Sequence, residues 1–111
     1  MLSVSKTKKF QKQLMLCIRQ GKNKKKLDDI VNMLANEQPL PPKNRDHKLE
    51  DSKQYKGCRE CHIEPDWLLI YKVVRNTLVL ELIATGSHSG SCLVPLILML
   101  LFIIMPRKND I

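Results

Sequence analysis

The sequence predicts an α+β fold in which two N-terminal helices pack on one face of a small, mainly antiparallel sheet of three to four strands. Three observations predict it. Apolar side chains recur at helical spacing up to Glu37, whereas residues 55 to 83 are rich in β-branched, aromatic and aliphatic side chains in short runs. The length of 111 residues allows one core and leaves little for a second.

Leu2 to Ser5 is a candidate edge strand. Phe10, Leu14, Cys17 and Ile18 share one stripe of a helix from about Lys6 to Gln20, which Gly21 stops. Leu27, Ile30, Val31 and Leu34 repeat the i, i+3, i+4, i+7 pattern in a second helix ending near Glu37, before Pro39. The segment QPLPPKNRDHKLEDSKQ, from Gln38 to Gln54, has three prolines and no periodicity, so it reads as a loop. Residues 55 to 63, Trp67 to Val74 and Thr77 to Ile83 then read as antiparallel strands, the last two joined by a short turn at Arg75 and Asn76.

Nineteen Lys and Arg against eleven Asp and Glu give a formal charge of +8. Much of the excess precedes residue 27, at Lys6, Lys8, Lys9, Lys12, Arg19, Lys22, Lys24, Lys25 and Lys26. That bias favours polyanionic partners; the alternative is a helix face kept soluble by charge. No apolar run follows the basic amino terminus, so a cytoplasmic protein is expected, with Cys17, Cys58, Cys61 and Cys92 as reduced thiols. Cys92 to Met105 is an apolar run of fourteen residues broken by Pro95. A spanning helix needs about twenty, so no stable membrane association is expected.

The stretch GCRECHIEPDW, Gly57 to Trp67, contains a literal C-x-x-C-H, the pattern of haem attachment and a relative of zinc motifs. On a strand, side chains three apart point to opposite faces, so Cys58 and Cys61 cannot converge on one centre. Two small strand side chains explain them better, and no metal or other cofactor is expected. Within the same stretch Arg59, His62, Asp66 and Trp67 bring a cation, an imidazole, a carboxylate and an aromatic ring to one strand end. His47 in the loop and His88 after the last strand complete a candidate acid–base set, since catalytic groups usually lie where loops leave a rigid scaffold.

LPPKNRDHKLEDSKQYKGCRECHIEPDWLLIYKV followed by TGSHS resembles the YafQ branch of the RelE/ParE toxin superfamily, over roughly residues 1 to 89. The resemblance lies in an Asp-His-x-Leu loop, an Arg-x-x-His-x-x-Pro-Asp-Trp strand and turn, a Leu-Ile-Tyr-Lys strand and a Gly-Ser-His-Ser end. It implies the toxin of a type II toxin–antitoxin module, an endoribonuclease that cuts translated mRNA on the ribosome and is neutralised by a cognate antitoxin in a hetero-oligomer. It also implies metal-independent attack of the ribose 2′-OH on the adjacent phosphate. On the matching positions His88 is the first choice for general acid, with His62 and Asp66 as base or orienting group. His47 would position the phosphate or share the proton transfer, Arg59 would face phosphate, and Trp67 would stack a base.

Two departures stand out. The family carries an arginine two residues before the glycine of the Thr-Gly-x-His segment, where this chain has Ala84. If that position alone limits activity, Ala84→Arg should raise cleavage by about a hundredfold. Residues 90 to 111 depart from the family's ending altogether and read as a frameshifted or decayed end. The alternatives are a degenerate toxin that binds antitoxin or ribosome without cutting, and a small tail-anchored membrane protein.

Overall fold

The computed structural model describes residues 1–49 and 53–87. Its elements run β1 (Ser3–Lys6), α1 (Lys8–Arg19), α2 (Lys24–Ala35), a 3-10 turn (Pro42–Asn44), β2 (His47–Lys48), β3 (Arg59–Glu64), β4 (Trp67–Val74) and β5 (Val79–Ser87). The five strands form one sheet in the order β1-β5-β4-β3-β2. Every neighbouring pair is antiparallel except β1 and β5, which run parallel with Ser3 beside Val79 and Lys6 beside Leu82.

Both helices follow from their apolar stripes and their ends. Thr7 caps α1 by accepting from Phe10 N at 2.9 Å. Its hydroxyl also donates to Ile83 O at 2.8 Å, which ties the helix start to β5. At the other end Gly21 takes φ +92°, Gly21 N donates to Ile18 O and Lys22 N donates to Cys17 O. That is a Schellman stop, which needs the left-handed backbone glycine adopts without strain. Asn23 then caps α2 through Lys25 N.

The main core lies between helices and sheet. Phe10, Leu14 and Cys17 of α1 and Leu27, Ile30, Leu34 and Ala35 of α2 meet Cys61, Ile63, Trp67, Leu69, Tyr71, Leu80 and Leu82. Val31, expected in this core, is only partly buried, and Ile18 is 42% exposed at the edge of its stripe. The other face of the sheet carries a smaller cluster of Tyr55, Cys58, Leu68, Ile70 and Ala84. Between Ile70 and Tyr71 the β4–β5 register shifts, because Ile70 pairs with Ala84 and Tyr71 with Leu82, so Ile83 bulges. Leu82 therefore faces the helices while Ala84 faces the smaller cluster.

Three details differ from the sequence expectation. Residues 55 to 58 form turns and a coil that seat Tyr55 on the second face, so β3 begins only at Arg59. The turn after β4 spans 75–78, and β5 runs on to Ser87, held to Trp67 by the β4 ladder. The polar loop also contains β2, whose pairing of His47 with Glu60 no residue pattern signals.

Candidate active site

Strand alternation sorts the candidate residues before any distance is read. On β3, Arg59 and Cys61 face the helices, whereas Glu60 and His62 face the other way. Arg59 pairs in register with Tyr71 and His62 with Leu68, which agrees with the two clusters. A bulge after His62 re-aims the strand end, where Glu64 pairs with Trp67.

His62 is 9% exposed, and its Nδ1 lies 3.1 Å from Pro65 O. A carbonyl oxygen only accepts, so Nδ1 carries the proton and Nε2 carries the lone pair of the neutral ring. From below, Asn44 Nδ2 donates to His62 O at 2.7 Å. His47 is held in the same tautomer: Nδ1 donates to Arg45 O at 2.7 Å, the carbonyl of a residue in the left-handed conformation at φ +48°. Its Nε2 lies 3.2 Å from Glu60 Oε1, an ion pair when the ring is protonated. Glu60 and His62 sit two apart on one strand face, so these imidazoles flank a single carboxylate on the sheet face away from the helices.

Asp66 lies in the turn joining β3 to β4, 3.3 Å from Lys22 Nζ. The Schellman stop after α1 puts Lys22 there, and the same amine reaches Glu64 at 4.0 Å. Lys26 adds a 2.7 Å contact to Glu64. Ser87, the last residue of β5, pairs with Trp67 and so brings the chain back beside this turn. His88 lies outside the described residues, as does the segment 90–111.

The stacking role expected of Trp67 needs correction, and Arg59 is engaged by an acid. Trp67 is fully buried on the helix side, and its Nε1 donates to Thr85 Oγ1 at 2.9 Å, so its face is packed in core and offers no surface to a base. Arg59 points to the side opposite His62; its Nε donates to Asp46 Oδ1 at 3.2 Å and lies 3.3 Å from Tyr71 Oη. Desolvation works against its charge, but the bonds to Asp46 and Tyr71 outweigh that and hold the guanidinium firmly protonated. It is the partner of an acid, and its side chain also lines the pocket that Lys48 and Lys56 share.

Cys58 belongs to the smaller cluster and Cys61 to the main core, so their side chains do lie on opposite faces. Burial pushes both thiols above their ordinary pKa, which disfavours the thiolate a metal needs. No group of three or more His, Cys, Asp or Glu with metal-holding geometry occurs among the described residues. Nor is any helix among them long and apolar enough to cross a membrane.

Sequence reasoning missed Asp46, Glu60 and Lys22. The only available signal for Glu60 was its place two residues before His62 on a strand, and for Asp46 its adjacency to His47. Nothing marked Lys22 out from the other lysines of the amino-terminal half.

The chain matches the family model described as the bacterial toxin of type II toxin–antitoxin system, YafQ, over residues 2–91. It is 39% identical over 82 residues to the mRNA interferase toxin YafQ of Escherichia coli strain B, covering 73% of this chain and 85% of that protein. The putative toxin YafQ of Haemophilus influenzae is 36% identical over 76 residues, covering 66% of this chain and 72% of that protein. Among solved structures, a metal-bound toxin from Helicobacter pylori superposes with a TM-score of 0.74 at 43% identity, covering 80% of this chain and 97% of that one. The E. coli DinJ–YafQ complex superposes at 0.69 with 34% identity, covering 80% and 96%.

Proposed function

Because the chain belongs to the YafQ family of bacterial type II toxins, we propose that it cuts translated mRNA on the ribosome by acid–base catalysis in the cytoplasm, under the control of a cognate antitoxin. It is the toxin of such a module and an mRNA interferase. The observation that best supports the chemistry is the pair of imidazoles, His47 and His62, each fixed through Nδ1 to a backbone carbonyl and flanking Glu60 on the sheet face away from the helices.

The reaction uses that geometry as follows. A base takes the ribose 2′-OH proton, the 2′ oxygen attacks phosphorus, and the 5′ oxygen leaves with a proton from an acid. The products are a 2′,3′-cyclic phosphate and a 5′-OH. His62 Nε2 is the base, with Asp66 as the carboxylate at the same strand end and Lys22 beside it. His47, held through Nδ1 at the sheet edge, positions the phosphate or shares the proton transfer. His88, the residue following Ser87, is the acid. Lys48 and Lys56 line an open pocket beside β2 and offer phosphate contacts along the strand.

Primer extension on a translated message after induction tests this. New 5′ ends with the chain, and none with His62→Gln, are expected. Cleavage undiminished in His62→Gln would refute the base assignment. A second reading, a toxin that binds antitoxin or ribosome without cutting, is favoured by one observation: Ala84, where the family's arginine is expected, is fully buried in the apolar cluster. Folded protein that binds antitoxin yet yields no 5′ ends would establish it. Residues 90–111 are the non-family end of the toxin, a reading supported by the family match stopping at residue 91.

A further inference from the structure

We propose that Asp46, Tyr71 and Arg59 form a positioning clamp that sets the ring of His47; its kinetic consequence rests on the nuclease reading above. His47 sits on a two-residue strand at the sheet edge, with its side chain 49% exposed. An edge that short has too few ladder bonds to hold a side chain still. The residue before it is anchored differently. Asp46 Oδ1 accepts from Tyr71 Oη at 2.6 Å and from Arg59 Nε at 3.2 Å.

Tyr71 lies on β4, the middle strand of the sheet, and is 2% exposed within the main core. The clamp therefore carries the rigidity of the centre across β3 to the edge. Its chemistry suits a fixed strut. Burial and the Asp46 carboxylate push the Tyr71 phenol well above its ordinary range, so it stays a donor, and Arg59 keeps its charge. Holding Asp46 fixes the peptide that joins it to Arg45, whose carbonyl takes the His47 Nδ1 proton. Tyr71 faces the helices within the main core, opposite His62, so it acts through Asp46 and does not meet the reacting phosphate.

Tyr71→Phe removes one oxygen and keeps the buried ring; Asp46→Asn keeps the shape and removes the charge at a part-exposed site. In the full chain each should lower kcat on translated mRNA roughly ten- to a hundredfold with KM unchanged, as expected when a catalytic group is misplaced. Tyr71→Phe should have no further effect in a His47→Ala background, because the clamp acts through that ring. A readout free of activity is the pair of ring nitrogen shifts of His47 by NMR, which should move from the Nδ1–H tautomer toward a mixture in both variants. Variants that fold, even with a lower Tm, and keep the His47 ring shifts would assign the network to stability alone and overturn the clamp. If His47→Ala cleaves like the parent, the catalytic role of His47 fails instead, and the ring shifts still decide whether the clamp exists.

Discussion

Ala84→Arg restores the cation that the family resemblance leads one to expect, yet the structure predicts that the single change will fail. Ala84 has no exposed surface and shares its cluster with Tyr55, Cys58, Leu68 and Ile70. Overpacking such a site costs about 1–3 kcal/mol, and a desolvated guanidinium costs several more. A hundredfold gain from a transition-state cation corresponds to only about 2.7 kcal/mol. The cost therefore exceeds the gain. Ala84→Arg alone should lower the Tm by more than about 10 °C, since each kcal/mol shifts a domain of this size by roughly 4–8 °C, and should not raise cleavage. Tyr55→Gly with Ala84→Arg, which removes the largest side chain of that cluster, should recover part of the Tm and cleave at least about tenfold faster than the parent. Thermal denaturation and primer extension in a translating extract read both effects. A single Ala84→Arg variant that keeps the parental Tm and cleaves a hundredfold faster would refute this reasoning.

Lys22→Met removes the amine beside Asp66 and Glu64, so cleavage should fall by about tenfold while antitoxin binding in a pull-down is retained; unchanged cleavage would deny Asp66 a role that depends on that contact. Tyr71 carries a folded-state pKa above its unfolded value, so its contribution is present below about pH 10 and is lost as pH rises beyond it. Denaturant titrations should show that alkaline loss in the parent and a smaller one in Tyr71→Phe. Glu37 is held below its ordinary pKa by Arg75, so its contribution is present above about pH 4.5 and lost in more acidic solution. Glu37→Gln should flatten the stability profile only there. Cys58 and Cys61 should react slowly with thiol reagents in the native chain, and metal analysis should find no stoichiometric zinc.

Local periodicity reveals what is local. Phe10, Leu14 and Cys17, and Leu27, Ile30 and Leu34, mark both helix stripes because a helix buries a face set by spacing alone. Trp67 to Val74 is recovered to the residue because its apolar run has turns at both ends. The faces of Cys58 and Cys61 follow from alternation, although Cys58 precedes the strand proper. What could not be read there depends on partners distant in the chain. β5 outruns its own apolar pattern because β4 supplies the ladder, and β2 exists only by pairing with β3. In the site, His47, His62 and Asp66 were visible as residue types, but the faces of Arg59 and Trp67 depend on what packs behind them. A strand start rich in aromatic and basic groups looks the same from sequence whether its rings face core or solvent.

The parallel pairing of β1 with β5 has a consequence for synthesis. Ser3–Lys6 is among the first segments made and Val79–Leu82 among the last described, and the Thr7 to Ile83 hydrogen bond spans 76 positions. Neither contact can form while the chain is still being extended through β4. Until β5 is made, the apolar stripes of α1 and α2 lack Leu80 and Leu82, part of the sheet face that covers them, and β1 lacks its only ladder partner among the described residues.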